Sequence, residues 1–201
     1  MGLPMLPDSI PNAWDAKQNE AESFSKICFI PSLSLSCFGC CGHHWKDKRT
    51  LHGFFDRNQK VLDKYLAEGR PYQEFMNREQ LVSSCGGCYS LVRDKDDKGK
   101  DRYVCGVHPL RIGEQPGPNG KDIRVGYCEH DYLCKSAAHV NKMSDEEKRF
   151  FYQFLVEQEF DAYEYSRINA QETVLLELYN IWKARIERGE EGGRVSLLPS
   201  P

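Results

Sequence analysis

Apolar residues recur at helical spacing over residues 51–66, about every 3.6 positions. This pattern predicts an amphipathic helix that ends at Gly69 and Pro71, because both residue types disfavour helix continuation. Proline is favoured at the first position of a helix. Pro71 therefore predicts a second helix, which delivers Cys85 and Cys88 at its C-terminal end.

The C-terminal part of the chain has a helical pattern as well. Ser144 and Glu147 have the spacing of a capping box, which predicts that a helix begins there. Apolar residues at helical spacing resume at Val174 and stop near Gly189. The pattern over residues 144–188 is compatible with one bent helix or with two, and its aromatic stripe favours core packing over a cofactor site.

Two β-prone segments, residues 90–92 and 103–107, flank a highly charged stretch that contains Gly99. They predict a β-hairpin with a solvated tip. Residues 27–35 are weakly apolar and predicted to be extended. Together these elements predict an α+β fold that is mainly helical, with a loop-rich cysteine core, a small β-hairpin and long C-terminal helices.

A chain of 201 residues suits one domain, or one domain with a helical extension. The pattern divides it into four segments. We expect an irregular N-terminal arm at residues 1–26, a cysteine-cluster metal-binding domain at 27–140, a helical extension at 141–189 and a disordered tail at 190–201.

Charge and hydropathy narrow the classes of partner. The chain has 27 basic and 30 acidic residues, a net charge of −3, which argues against nucleic-acid binding driven by bulk charge. The first 26 residues lack the basic start and apolar run of a signal peptide. The longest apolar segment, residues 27–38, is interrupted by proline and serine and is shorter than the roughly 20 residues of a membrane helix. We therefore expect a soluble, cytoplasmic protein that binds neither nucleic acid nor membrane.

The chain has nine cysteines. Eight of them lie between residues 37 and 134, and most of these eight stand beside glycine. Disulfides are disfavoured in the cytoplasm, and an odd number cannot pair completely, so the cluster indicates metal or redox chemistry. Cys28 stands apart and is predicted to be a small buried hydrophobe. The predicted metal ligands are Cys37, Cys40, Cys41, Cys85, Cys88, Cys105, Cys128 and Cys134.

The segments 37–40 and 85–88 are both Cys-x-x-Cys turns, whose two sulfurs can converge on one ion. Together they predict a four-cysteine zinc site, with a longer gap between the pairs than in common short ribbons. Cys41 follows Cys40 directly and fits the same ion poorly, so a second centre is predicted. Its other candidate ligands are Cys105, Cys128 and Cys134, with His108 or His130 able to complete the set.

The order of these motifs resembles the YkgJ-type cysteine-cluster family, which carries a CxxCxxCC signature. The matching segments are Cys37-Phe38-Gly39-Cys40-Cys41-Gly42, Gly87-Cys88-Tyr89-Ser90-Leu91, Cys105-Gly106-Val107-His108-Pro109-Leu110-Arg111 and Cys128. That family is regarded as a zinc- or iron-chelating domain, so the resemblance implies thiolate-bound zinc or iron over residues 37–134. Two positions depart from the family: Ser34 stands where the leading cysteine falls, and His108 where tyrosine is frequent.

Three functions are compatible with this pattern. The first is a metal-binding protein whose thiolates hold zinc or an iron–sulfur cluster. The second is an iron–sulfur oxidoreductase or electron-transfer protein. The third is a zinc-stapled interaction module that binds a protein partner through its C-terminal helices. The sequence contains no phosphate-binding glycine loop, HExxH or GxSxG motif, so it names no catalytic residue and leaves enzymatic activity open.

Overall fold

The structure is a computed structural model. It describes residues 26–42, 44–76, 85–96, 98–107, 124–125, 127–128, 132–171 and 173–196. The predicted arm up to residue 25, both candidate histidines (His108 and His130) and residues 197–201 lie outside the described residues. So does the segment 77–84 of the second predicted helix.

Six helices and two short antiparallel hairpins make up the described part of the chain. The helices are α1 Lys48–Ala67, α2 Tyr72–Met76, α3 Lys135–Lys142, α4 Asp145–Gln158, α5 Ala162–Asn169 and α6 Val174–Glu187. The strands are β1 Phe29–Ile30, β2 Leu35–Ser36, β3 Leu91–Lys95 and β4 Asp101–Cys105. This arrangement confirms the predicted α+β, mainly helical fold. None of the helices within the described ranges is long and apolar enough to cross a membrane.

The segment predicted to be extended, residues 27–35, folds instead into a tight hairpin. Strands β1 and β2 pair with Ile30 opposite Leu35, and a 3-10 turn at Pro31–Leu33 joins them. Proline fixes its own φ, and Ser34 adopts a positive φ of 58°, so the chain cannot continue straight. The reversal brings Cys28 and Cys37 side by side, with the Cys37 N–H donating to the Cys28 carbonyl at 2.9 Å.

Helix α1 confirms the predicted amphipathic helix. Asp47 caps its start by accepting from the Thr50 N–H at 3.0 Å. Its buried stripe is Leu51, Phe54, Phe55, Asn58 and Leu62. Asn58 is the polar member of that stripe, and its side-chain amide donates to the Leu91 carbonyl at 2.7 Å. This bond satisfies a buried polar group and joins α1 to β3.

The predicted β-hairpin is confirmed as β3 and β4, with Leu91 opposite Cys105. Arg93 on β3 pairs with Asp56 on α1 at 2.6 Å and donates to the His52 Nδ1 at 3.2 Å. The His52 Nε2 in turn bonds the Tyr103 hydroxyl on β4. These contacts fix the hairpin on α1, and the hairpin carries Cys105 at its end.

Residues 144–188, for which the pattern left one or two helices open, form the three helices α4, α5 and α6. The capping box of Ser144 and Glu147 is confirmed at the start of α4. Glu159 ends that helix with a positive φ of 51°, and Asp161 forms a second capping box that begins α5. The aromatic stripe is buried in the core, where Trp182 has no exposed surface. Core packing is therefore its role in this fold.

The N-terminal hairpin and the C-terminal helices share this core. Ile27, Ile30 and Leu35 belong to the same buried cluster as Phe154 and Trp182. Two polar contacts reinforce the packing. The buried Tyr165 hydroxyl donates to the Ile27 carbonyl at 2.6 Å, and the Ser166 hydroxyl accepts from the Phe38 N–H at 3.1 Å. The segments predicted as a metal-binding domain and a helical extension thus meet in one hydrophobic interior.

The described part of the predicted disordered tail, residues 190–196, packs instead against the C-terminal end of α4. The Gln158 side chain donates to the Gly193 carbonyl at 3.0 Å and accepts from the Val195 N–H at 2.8 Å. Both Gln158 and Val195 are buried. The correction has a physical reason: a buried amide at the end of α4 requires partners, and the tail backbone supplies them.

Glu157 is expected to contribute to stability through two hydrogen bonds to one of its oxygens. Oε2 accepts from the Trp182 indole N–H and from the Gly193 N–H, both at 2.7 Å. Replacing it in a Glu157→Ala variant leaves a buried donor without its partner and should lower the free energy of unfolding by about 1–3 kcal/mol. Urea denaturation measures this change. Glu191→Ala, at an exposed position of the same tail, is the control and should change stability by less than about 0.5 kcal/mol.

His52 is expected to make stability depend on pH. Burial lowers its pKa, the charges of Arg93 and Lys48 lower it further, and the carboxylates of Asp101 and Asp56 oppose them. The folded chain therefore binds a proton less readily than the unfolded chain, whose histidine pKa is about 6.5. The stability that neutral His52 contributes is present above this pH and is lost as the pH falls through it. Unfolding free energies measured from pH 8 to 5 should fall more steeply for the wild type than for His52→Gln, and parallel curves would contradict this.

Candidate metal centre

The two Cys-x-x-Cys turns lie side by side and antiparallel. Gly42 and Gly87 form an isolated β-bridge, and the Cys88 N–H donates to the Cys41 carbonyl at 3.2 Å. Lys46 continues the pairing, since its N–H donates to the Cys85 carbonyl at 3.1 Å. Cys41 and Cys88, 47 positions apart by subtraction of their numbers, are thereby brought into contact range.

Glycine is required where the turns approach each other. Gly42 has a φ of +129°, and a Cβ at this position would overlap the Gly86 carbonyl oxygen. A Cβ at Gly87 would lie 2.9 Å from a ring carbon of Phe55 on α1. The glycines beside the cysteines therefore permit close backbone packing between the two turns and against the first helix.

An aromatic anchor fixes the first turn. Phe38, between the first two cysteines of that turn, is fully buried and packs edge-on against Trp45, Phe55 and Tyr103 at centroid distances of 5.3–5.5 Å. The Cys41 N–H donates to the Phe38 carbonyl at 2.8 Å and closes the turn. The packing of the Phe38 ring in the core therefore fixes the backbone of the loop that carries these cysteines.

Backbone N–H groups are directed at several of the sulfurs. The donors lie two or three residues after the cysteine: Gly39 for Cys37 at 3.2 Å, Ser90 for Cys88 at 3.4 Å and Ala137 for Cys134 at 3.4 Å. The Val107 N–H is directed at Cys105 in the same way. A donor at sulfur stabilises the thiolate, which is the form that binds metals.

Four cysteines form what we name the first thiol group: Cys28, Cys37, Cys40 and Cys134. The β1–β2 hairpin holds Cys28 beside Cys37, and Cys134 is the N-cap of α3, which packs against the turn Lys26–Cys28. Burial raises the pKa of Cys37, and charge on each of the other three sulfurs raises it further. Such mutual effects require the four sulfurs to lie near one another.

Four further cysteines form the second thiol group: Cys41, Cys88, Cys105 and Cys128. The bridge between the turns holds Cys41 at Cys88. The hairpin adds Cys105, since the Gly106 N–H donates to the Ser90 carbonyl at 2.7 Å. Burial raises the pKa of Cys105 to about 12, and charge on Cys88 and Cys128 also raises it.

The two groups meet at Cys40 and Cys41, whose sulfurs are 3.9 Å apart. The hydrogen bond between them lowers the pKa of the exposed Cys40 to about 7, against the opposing effect of desolvation. The same bond, together with burial, raises the pKa of Cys41. The contact therefore favours ionisation of Cys40 over ionisation of Cys41.

Arg124 lies where its charge acts on both groups. The residue is only 6% exposed, and it lowers the pKa of Cys40 in the first group and of Cys105 in the second. A guanidinium remains charged at all accessible pH values. It thus provides a fixed positive charge that favours thiolates on either side.

The structure places the candidate ligands differently from the two predicted centres. Cys37 and Cys40 lie with Cys28 and Cys134, whereas Cys88 lies with Cys41 and the hairpin. Cys85 is buried in the core cluster that includes Phe38, Phe54 and Phe55.

From the sequence, Cys28 is predicted to be a buried residue separate from the metal ligands. In the structure it lies beside Cys37 in the β1–β2 hairpin. The signal was present in Pro31, which reverses the chain between them. Ser34, at the place of the family's leading cysteine, is buried within that reversal. Cys28 itself is the last residue of the 3-10 turn Lys26–Cys28, directly before β1.

The residues present fit a thiophilic metal by their chemistry. Soft thiolates preferentially bind zinc and iron–sulfur clusters. Here backbone N–H groups point at the sulfurs of Cys37 and Cys88, and the buried Arg124 side chain supplies a positive charge. In the part of the chain that the structure describes, no three histidine, cysteine, aspartate or glutamate side chains converge on a point that could hold an ion. Cysteine side chains can change rotamer without backbone movement, so convergence requires a local adjustment of sulfur positions.

Comparison of the chain with protein-family models, curated proteins and solved structures finds no match. The resemblance to the YkgJ-type family therefore stays a prediction from the motifs. The geometry of the thiols supplies the argument for function.

Gly42→Ala is expected to separate the two turns. Left-handed backbone alone costs an alanine about 1–2 kcal/mol. At Gly42 the overlap with the Gly86 carbonyl adds to this cost, so the loss in unfolding free energy should be roughly 2 kcal/mol or more. Urea denaturation of the metal-free chain measures it.

Gly69→Ala is the matched control, because Gly69 also has a positive φ, of 66°, but a Cβ there would meet nothing within 4 Å. Gly69→Ala should lower the unfolding free energy only by the cost of holding an alanine at positive φ. Equal destabilisation by both substitutions would mean that the contact between the turns contributes nothing.

Proposed function

We propose that this chain is a metal-binding protein whose cysteine thiolates hold zinc or an iron–sulfur cluster. The observation that carries the proposal is the direction of backbone N–H groups toward the sulfurs of Cys37, Cys88 and Cys134. Donors that point at sulfur stabilise negative charge there and orient ligands in metal sites. At Cys134 the donor also caps α3, whereas the donors at Cys37 and Cys88 cap no helix.

The electrostatics support the same proposal. Burial is the largest cause of the raised pKa of Cys28, Cys37 and Cys105, so these sulfurs stay protonated in the absence of a cation. A bound metal ion reverses this preference, because it pairs directly with thiolate charge and displaces the protons to solvent. Metal binding therefore removes the cost of placing several ionisable thiols in one partly buried region.

Zinc and iron–sulfur chemistry lead to different roles. A zinc ion enclosed by four thiolates is redox-inert and structural, and here it would fasten the two turns and the β3–β4 hairpin together. An iron–sulfur cluster would add electron transfer as a second candidate function. The exposed sulfur ligands Cys40 and Cys128 favour this candidate, because they place one edge of each thiol group at the surface.

A protein partner at the C-terminal helices is a weaker candidate. The aromatic residues that suggested such a surface, among them Phe150, Phe151 and Trp182, are buried in the core. A zinc-stapled interaction module would have to use other side chains, and the larger exposed apolar residues on these helices, Val156 and Ile181, are isolated examples.

Metal removal is expected to loosen the cysteine-rich region more than the helical core. Structural zinc contributes on the order of 10 kcal/mol in small peptide sites, compared with about 1–2 kcal/mol of backbone entropy per ordered residue. The contact between α4 and α6 is made by aromatic pairs such as Phe151–Tyr179, with centroids 5.1 Å apart, and involves no thiol. A chelator under reducing conditions should lower the melting temperature and speed amide exchange in residues 37–42 and 85–107, while α4 and α6 keep their protection.

Elemental analysis of anaerobically purified protein, with an absorption spectrum of the same sample, tests the proposal directly. Stoichiometric zinc in a colourless sample supports the structural site. Iron with acid-labile sulfide and visible absorption supports the cluster. A chain that contains neither metal, binds no added zinc and melts at an unchanged temperature with chelator would contradict metal binding.

A further inference from the structure

We propose that Cys40 and Cys41 form a dithiol that a hydroperoxide oxidises reversibly to a disulfide between these two adjacent residues. Their sulfurs are 3.9 Å apart, and Cys40 is exposed whereas Cys41 is partly buried. The inference goes beyond metal binding, because it concerns a two-electron reaction of the thiols in the metal-free chain.

The two sulfurs are close enough to bond after a local movement. A disulfide has an S–S bond of about 2.0 Å, so the sulfurs have to approach by roughly 2 Å. Rotation about the Cα–Cβ bond moves a cysteine sulfur without displacing the backbone. The exposed side chain of Cys40 has the freedom to make this rotation.

The backbone holds Cys41 in place while Cys40 moves. The Cys41 N–H donates to the Phe38 carbonyl at 2.8 Å, and the Cys41 carbonyl accepts from the Cys88 N–H at 3.2 Å. Gly42 follows with a φ of +129°, where the Gly86 carbonyl leaves no space for a Cβ. Cys41 is therefore a fixed second thiol beside a mobile, accessible one, which is the arrangement found at redox-sensitive cysteines.

The same adjacency makes the disulfide reversible. The Cα atoms of neighbouring residues are about 3.8 Å apart across a trans peptide, which is shorter than the roughly 4.4–6.8 Å usual for a disulfide. A bond between Cys40 and Cys41 is therefore strained, and strained disulfides are reduced more readily than relaxed ones. A dithiol reductant should restore both thiols.

The reaction has two steps. The Cys40 thiolate attacks one oxygen of the hydroperoxide, so that an S–O bond forms, the O–O bond breaks, and the alkoxide that leaves takes up a proton to become an alcohol. The Cys41 sulfur then attacks the Cys40 sulfur. The S–S bond forms, the S–O bond breaks, and hydroxide leaves with the Cys41 proton as water. In total the two thiols lose two electrons and two protons, and the hydroperoxide is reduced to an alcohol and water.

Cys28 and Cys37 are the rival pair in the same segment. They lie opposite each other in the β1–β2 hairpin, where the Cys37 N–H donates to the Cys28 carbonyl at 2.9 Å. Opposed residues of an antiparallel pair have Cα atoms at a distance that suits a disulfide. Neither residue is as exposed as Cys40, however, and oxidation of a thiol depends on its exposure. Attack on the peroxide should therefore begin at Cys40.

The test locates the oxidised thiols in the full-length chain. Protein freed of metal under reducing conditions is treated with one equivalent of tert-butyl hydroperoxide, and its remaining thiols are alkylated in denaturant. The tryptic peptide 27–46 contains both pairs of cysteines. Its fragment masses should show alkyl groups on Cys28 and Cys37 and none on Cys40 and Cys41, and treatment with dithiothreitol before alkylation should restore the two missing groups.

Three variants assign the role of each thiol. Cys41→Ser should stop at a sulfenic acid on Cys40, which dimedone traps as an adduct. Cys40→Ser should form neither the adduct nor a disulfide in this peptide. Cys37→Ser is the matched control, because it removes the rival pair and should still form the Cys40–Cys41 disulfide. Circular dichroism of each variant checks that the helices are intact.

The opposite results are equally definite. Loss of alkylation at Cys28 and Cys37, abolished in Cys37→Ser, would assign the reaction to the rival pair and overturn the inference. Thiols that survive the peroxide, or a wild type that forms only a sulfinic acid on Cys40, would overturn it as well. Because the reaction is followed without metal, each of these results leaves the proposal of metal binding as it stands.

Discussion

The antiparallel contact between the turns at residues 37–42 and 85–90 is the constraint on which the rest of the site depends. It consists of one β-bridge between Gly42 and Gly87 and a few backbone hydrogen bonds. Because a Cβ on Gly42 would occupy the space of a carbonyl oxygen, the contact is available only to glycine. Through it, cysteines far apart in the sequence come together, and the first helix and the β3–β4 hairpin acquire fixed positions around them.

The thiols in this region are under two opposing influences. Burial and mutual repulsion favour protonated sulfur, as the raised pKa of Cys37 and Cys105 indicates. Backbone donors and the buried Arg124 favour thiolate. A thiophilic cation would resolve this opposition in favour of the thiolate.

The C-terminal helices act as the support for the cysteine-rich region. Tyr165 and Ser166 on α5 bond directly to the backbone at Ile27 and Phe38, on either side of the N-terminal hairpin. The apolar side chains of that hairpin complete the core formed by the helices. Consequently the hairpin that presents Cys28 and Cys37 is held by a helical core whose aromatic pairs, such as Phe151–Tyr179, are formed between the helices.

The sequence by itself determined the elements whose cause is local. The helix over residues 51–66, the capping box at Ser144 and the hairpin around Gly99 follow from periodicity, side-chain-to-backbone bonds and turn residues only a few positions apart. It also identified the cysteines as the candidate site. Only the tertiary structure decided which cysteines are neighbours, because the partners of Cys28 and Cys85 come from long-range packing of the hairpin, the α3 cap and the aromatic core. The ordered residues 190–196 were missed for the same reason, since their partners are the buried side chains of α4.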